Sequence, residues 1–235
     1  MTIRVVAAEI EAKTATTRTA IPTSAQPSWP PFERVAETIA TPRRPFPMHR
    51  HSGVEVLTYV IEGSASYHFG EEPPRPLGPG STVLLTAPTS LSHAINPGQG
   101  RTVRWFAVVA ALPSPSPAAA RLQAAEARPV TGVTDDILVR HLVGRESSLT
   151  SAAGLESDEF EFRAPATTFR ETGHDRLAIG YALAGRGRLG EVPIEAGETA
   201  LVEDTAGISI EGQSGFKLVF VGAPRPSANR PPRST

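Results

Sequence analysis

Residues 57–63, LTYVIEG, return as IGYALAG at 179–185, with Tyr-x-x-x-Gly kept in both copies. Each copy is followed by a glycine that opens an apolar run: Gly80 in PLGPGSTVLLT and Gly197 in PIEAGETALVE. Each block then closes on a further apolar run, VRWFAVVA in the first and FKLVFVGA in the second. The two glycines of a block are 17 residues apart in the first copy and 12 in the second, so the second hairpin is shorter by five. A chain that repeats a hairpin set in this way is confined to two similar β units, packed as barrels or sandwiches. The expected fold class is all-β, with two barrels in one chain.

The turn-forming residues agree with that expectation. With 23 prolines and 20 glycines in 235 residues, long helices are disfavoured and short strands joined by turns are favoured. Strand-like runs occupy 54–61, 64–69, 82–86 and 102–110, and then 137–143, 159–163, 177–183, 199–202, 208–211 and 217–221. Residues 3–8 read as a short edge strand, and the stretch from there to about Pro31 as loop. PSPSPAAA at 113–120 reads as a linker, and 118–127 as a short helix stopped by Pro129. The expected organisation is an N-terminal barrel over 1–112, linker and helix over 113–128, a C-terminal barrel over 129–223 and a disordered tail over 224–235. The two barrels are expected to pack face to face.

A formal net charge of −1 and a pI near 6.6 provide no basic field for nucleic acid or anionic lipid. No stretch approaches the ~18–20 apolar residues of a membrane span. The start, MTIRVVAAEIEAK, places Glu9 and Glu11 where a secretory leader needs an apolar core. These features predict a cytoplasmic protein, monomeric or homodimeric, whose partner is a small molecule. The chain has no cysteine, which removes disulfides, thiolate nucleophiles and every Cys-containing metal site. Any metal must be held by His, Asp or Glu.

His49-Arg50-His51 is the most informative tripeptide. On an extended strand residues i and i+2 point to one face, so both imidazoles aim at one point. Two neutral imidazoles converging on a third ligand is how β scaffolds hold divalent transition metals. Two surface or hydrogen-bonded histidines are the alternative. Glu55 follows, on a run where it shares a face with Leu57, Tyr59 and Ile61. A carboxylate turned into such an apolar interior needs a cation or strong donors beside it. A face pointing outward at that end is again the alternative.

PFPMHRHSGVEVLTYVIEG resembles the first motif of the pirin family of the cupin superfamily, in which His-x-His precedes Gly-x-Glu and a Tyr-Val-x-Glu-Gly run. LLTAPTSLSHAINP is similar to that family's second motif, a Thr-Ala before a small loop and one histidine. The resemblance extends from about Pro45 to Pro224. It implies a bicupin whose first barrel holds a divalent metal through His49, His51 and His93. Fe(II) is the first expectation, Zn, Mn, Ni or Cu are the alternatives, and a metal-free site stays open. Some pirins are flavonol dioxygenases of the quercetinase kind, and others act as metal-dependent partners of other proteins.

One position departs from the family pattern. The usual fourth pirin ligand is a glutamate two residues after the third histidine, and Ile95 stands there. Isoleucine cannot coordinate, so the implied site has three histidines and no carboxylate, with Ile95 and Tyr59 expected to line the pocket. Glu55 is the candidate for the missing charge: its position is often a ligand in cupins generally, though usually not in pirins.

The remaining histidines carry less. His68 in SASYHF alternates to the other side of its strand and reads as structural, while His141 and His174 stand alone. Aligning the repeat without gaps places Glu171, Thr172 and Gly173 opposite His49–His51, and Ile210 opposite His93, so the second barrel reads as having no ligand set. GRGRLG at 185–190 lacks the helix of a phosphate loop and reads as a hairpin turn, and no nucleophile elbow is present. Three functions fit the sequence. The first is a metal-dependent oxygenase acting on an aromatic or enol substrate. The second is an isomerase or cyclase with a redox-silent metal or none. The third is a metal-dependent binding or regulatory module.

Overall fold

The computed structural model describes residues 1–226 except 13, 99, 100, 115, 117, 127–129 and 145. Among the described residues there are 22 strands, numbered β1 to β22 along the chain, and no helix. No helix is therefore long and apolar enough to cross a membrane.

In the first half a seven-stranded sheet runs in the order β12 (Arg121–Glu126), β9 (Ser81–Ala87), β6 (Val54–Glu62), β11 (Val103–Ala111), β4 (Phe32–Ala40), β3 (Thr16–Ile21), β2 (Glu9–Glu11). A four-stranded sheet completes this half, in the order β5 (His49–His51), β10 (Leu91–Pro97), β7 (Ala65–Phe69), β8 (Arg75–Leu77). The second half repeats the plan. Its large sheet is β1 (Thr2–Val6), β20 (Thr199–Glu203), β17 (Arg176–Ala184), β22 (Lys217–Pro224), β15 (Glu156–Phe162), β14 (Ile137–Val143), β13 (Val130–Thr134). Its small sheet is β16 (Ala166–Glu171), β21 (Gly207–Gly212), β18 (Arg186–Leu189), β19 (Val192–Glu195).

The repeated glycines have a backbone reason. Gly63 and Gly185 both sit at positive φ, +81° and +70°. A Cβ on Gly63 would meet the Thr102 carbonyl oxygen at 2.0 Å, and one on Gly185 the Phe216 Cα at 2.9 Å. Only glycine fits either turn.

The first strand of each half pairs with the sheet of the other half. Strand β1 lies along β20, with Arg4 opposite Leu201, and β12 lies along β9, with Leu122 opposite Leu85. The boundary expected at residue 112 therefore runs through a reciprocal exchange. The helix expected over 118–127 is instead the strand β12. Leu, Gln, Ala and Glu favour a helix locally, but the open edge of β9 offers a row of unpaired backbone groups, and pairing them outweighs that preference. Residues 16–21, expected as loop, form β3, whose threonines suit a pleated strand beside β4. Strand β22 runs through Pro224, and Arg225 pairs with Asp204 at 2.6 Å, so the tail expected to begin at 224 is still tied down there. Residues 227–235 lie outside the described residues.

The two large sheets bury one face against each other. One apolar cluster joins Leu57, Tyr59, Phe106 and Val108 of the first half to Ile179, Tyr181, Val219 and Val221 of the second. Phe106 and Tyr181 stack with ring centroids 4.8 Å apart and planes at 17°. The other face of the first large sheet lines a cavity under the small sheet. Central strands are thus covered on both faces, which is why β6 is buried continuously from Val54 to Val60.

Candidate metal centre

His49 and His51 stand on β5, and β10 pairs with β5 so that His93 lies opposite His49. One ligand atom from each of the three imidazoles lies within 4.8 Å of those of the other two. The ring centroids are 4.3 Å apart for His49–His93, 4.8 Å for His49–His51 and 5.0 Å for His51–His93. The strand period of two, predicted from the His-x-His spacing, and the antiparallel register together create the cluster.

Each ring has a different environment. His49 Nδ1 donates to the Pro47 carbonyl at 3.0 Å, which leaves Nε2 as its free lone pair. His93 Nδ1 lies 2.7 Å from the Tyr67 hydroxyl, and its Nε2 is buried with no hydrogen-bond partner among the described residues. Burial holds the Tyr67 phenol protonated far above its ordinary range. Burial also pushes the histidines down: His93 to about 2 and His51 to about 4, with the neighbouring imidazoles adding repulsion. His49 is lowered for the same first reason, and the nearby Arg34 charge adds to it. All three are neutral near pH 7, the form that binds metal.

An orphaned buried nitrogen is unfavourable unless something meets it. The donor set fits a divalent transition ion, with neutral imidazoles as ligands. Carbonyl and phenol partners on the far nitrogens of His49 and His93 fix ring orientation as second-sphere groups do at metal sites.

The cavity holding the triad measures about 270 Å³. Phe46, Val56, Ile95, Trp105, Ala107 and Val109 supply its apolar wall, and Arg34, Thr38 and Thr58 its polar groups beside the histidines. Ile95 lines the cavity, two residues beyond His93 on the same face of β10. Sequence reasoning missed Arg34. It precedes the His-x-His motif by fifteen residues, and only the alternation of β4 (Arg34, Ala36 and Thr38 on one face) could have signalled it.

Two expected pocket residues lie elsewhere. Tyr59 faces the other half and donates to Glu159 Oε2 at 2.7 Å. Glu55 shares that face. Its carboxylate accepts from Thr86 Oγ1 at 2.7 Å, from the backbone N–H groups of Ala152 and Ala153 at 3.1 Å each, and from Ser151 Oγ. The strong donors that a buried carboxylate requires are therefore present, and they come largely from a loop of the second half. The face of β6 that lines the cavity carries Val56 and Thr58 instead. Tyr59 therefore does not line the pocket as expected, and for Glu55 the alternative holds, a face turned away from the cavity; β6 is apolar on both faces, so no alternation marks which one looks in.

In the second half Ile210 lies opposite Thr168, as His93 lies opposite His49. The strand register thus sets Thr168 and Arg170 at the places of His49 and His51, three residues before the ungapped alignment. His141 does not stand alone. Its Nδ1 meets Asp158 at 2.7 Å and its Nε2 meets Glu146 at 3.0 Å, while Arg170 Nε lies 2.7 Å from the other Asp158 oxygen. These charges line a polar cavity of about 520 Å³ and largely pair with one another. His174 is exposed, and His68 lies on β7 outside the triad's cavity.

No protein-family model matches the chain, and no curated protein sequence matches it. Solved structures do. GK1651 from Geobacillus kaustophilus aligns over 97% of this chain and 96% of its own at a TM-score of 0.83 and 20% identity. The bacterial pirin YhhW from Escherichia coli, solved in complex with nickel(II), aligns over 96% of this chain and 100% of its own at 0.81 and 14%. This is the pirin-type bicupin fold. A quercetin 2,3-dioxygenase from Acinetobacter baumannii shares it, over 94% of this chain and 79% of that one, at a TM-score of 0.78 and 18% identity. In this pirin-type bicupin the three-histidine cluster, able to hold a metal, belongs to the first half.

Proposed function

We propose that this chain is a metal-dependent cupin enzyme that holds one divalent ion, Fe(II) first, on His49, His51 and His93. It would act on a small, mainly apolar or aromatic substrate as a dioxygenase. The observation that carries the reading is His93 Nε2, buried without a partner beside two further neutral imidazoles. The nickel bound by the pirin of the same fold, and the dioxygenase activity named for the Acinetobacter protein, support it.

A bound ion would supply Lewis acidity and a meeting point for substrate and oxygen. The chain's own residues would do the rest. Pro47 fixes the tautomer and orientation of His49, and Tyr67 holds the orientation of the His93 ring. Phe46, Trp105 and Ile95 exclude water and give a planar substrate its apolar wall. Ile95, which contributes no charge where the family pattern has glutamate, also favours a second reading: a non-oxidative isomerase or cyclase in the same pocket.

The test is metal analysis of untagged protein followed by oxygen uptake. One equivalent of metal, lost in His93→Ala, with oxygen consumed on aromatic enols is the expected result. Metal without oxygen uptake would favour the non-oxidative reading, and absence of metal binding after reconstitution would overturn the dioxygenase reading and leave only a metal-free isomerase or cyclase.

A further inference from the structure

The charge balance of the histidine cavity is unusual for a partly buried site. Its three ligand candidates are neutral imidazoles, and no Asp or Glu is among the described residues that line it. The nearest expected carboxylates are gone: Ile95 occupies one place, and Glu55 is bound on the far side of β6. Arg34 adds a permanent positive charge to the same cavity, its Nη2 held at 3.2 Å by Thr19 Oγ1. A divalent ion on the triad would bring the enclosed charge to three positive units, facing an apolar wall. Uncompensated charge of that size in a cavity only partly open to water is unfavourable.

We propose that this site takes small substrates carrying an anionic oxygen, a carboxylate or an enolate on a single planar ring, and that Arg34 selects for that charge. The inference rests on the metal reading above and deepens it. An anionic oxygen supplies the negative charge that the protein withholds, and Arg34 can meet it with charge-assisted hydrogen bonds, which are stronger than neutral ones. The ring would lie against Phe46, Trp105 and Val109. A volume of about 270 Å³ is at the small end for ligand cavities and suits one substituted ring. Thr19 positions the guanidinium and touches no substrate in this scheme.

Calorimetric titration of nickel-loaded protein with benzoate and with benzamide tests this, with metal content measured on the same sample. The two probes share shape and differ in charge. Benzoate is expected to bind at least about tenfold more tightly than benzamide, and Arg34→Gln should weaken that preference while leaving nickel content and melting temperature in place. Equal affinity for the two probes, or benzoate binding unchanged in Arg34→Gln, would overturn the inference and leave the metal reading intact. Protein that takes up no nickel yet binds benzoate through Arg34 would overturn the metal reading and keep the anion site. Loss of both would overturn both. Should Arg34→Gln not fold, Arg34→Met, which also removes the charge, takes its place under the same outcomes.

Discussion

The Tyr59 hydroxyl donates to Glu159 Oε2 at 2.7 Å across the contact between the two halves, one hundred residues apart in sequence. Its counterpart in the repeat, Tyr181, donates to Glu37 Oε2 at 2.9 Å in the opposite sense. Each carboxylate is also held by an arginine, Arg140 on Glu159 at 2.6 Å and Arg104 on Glu37 at 2.7 Å. The tyrosine retained in both copies of the repeat therefore fastens the halves together. Tyr59→Phe should cost about 1.5–3 kcal/mol in denaturant unfolding, in line with a hydrogen bond to a charged group, and leave metal content unchanged. A loss of metal without a loss of stability would place Tyr59 in the site after all.

Glu55 makes a sharper case. Glu55→Ala would strand the N–H groups of Ala152 and Ala153 together with Thr86. A stability loss of about 2–4 kcal/mol is expected, because buried groups left unpaired cost roughly 1–3 kcal/mol each and partial hydration recovers some of it. Metal stoichiometry should not change. A metal-depleted but stable variant would instead identify Glu55 as a ligand.

Ile95→Glu should raise metal affinity measurably in competition with a chelator. It adds an anionic oxygen ligand at a position that lines the cavity beside His93. In the metal-free protein the same change should be destabilising, since it buries a carboxylate at a site only 2% exposed. Unchanged metal affinity in a folded variant would count against the site.

Acid should destabilise the metal-free protein before it affects ordinary carboxylates. His93 at about 2 and His51 at about 4 stay neutral when folded, whereas the unfolded chain takes up protons below about 6.5. The unfolded state therefore binds more protons between those values, and stability falls as pH drops from 6.5 toward 4. For His93 the slope approaches ~1.4 kcal/mol per pH unit. The fall in melting temperature between pH 7 and pH 5 should be smaller in His93→Leu than in the unaltered protein.

Ending the chain after Leu112 keeps every candidate ligand but removes β12 from the edge of β9, and it also removes the sheet that β1 and the Leu57–Phe106 face pack against. Aggregation or loss of cooperative unfolding is expected by size exclusion and circular dichroism. His141→Ala, within an ion network of the second half, should leave metal content intact. A soluble, monomeric fragment that melts cooperatively would show that the halves fold independently.

The sequence by itself determined the all-β class, the two-fold repeat and the three histidines. These follow from local rules: glycines at turns that require positive φ, apolar runs of strand length, and a period of two that puts His49 and His51 on one face. The position of Ile95 was legible for the same reason, two residues along a strand from His93. Tertiary structure alone decided which face of β6 looks into the barrel, because a strand apolar on both faces carries no alternation to read. It decided that 121–126 is a strand, since the open edge of β9 offers hydrogen bonds that no local propensity records. It also brought Arg34 to the histidines and Glu55 to Ala152 and Ala153. Those pairings join residues far apart in the chain, and only the packing of sheets brings them within reach.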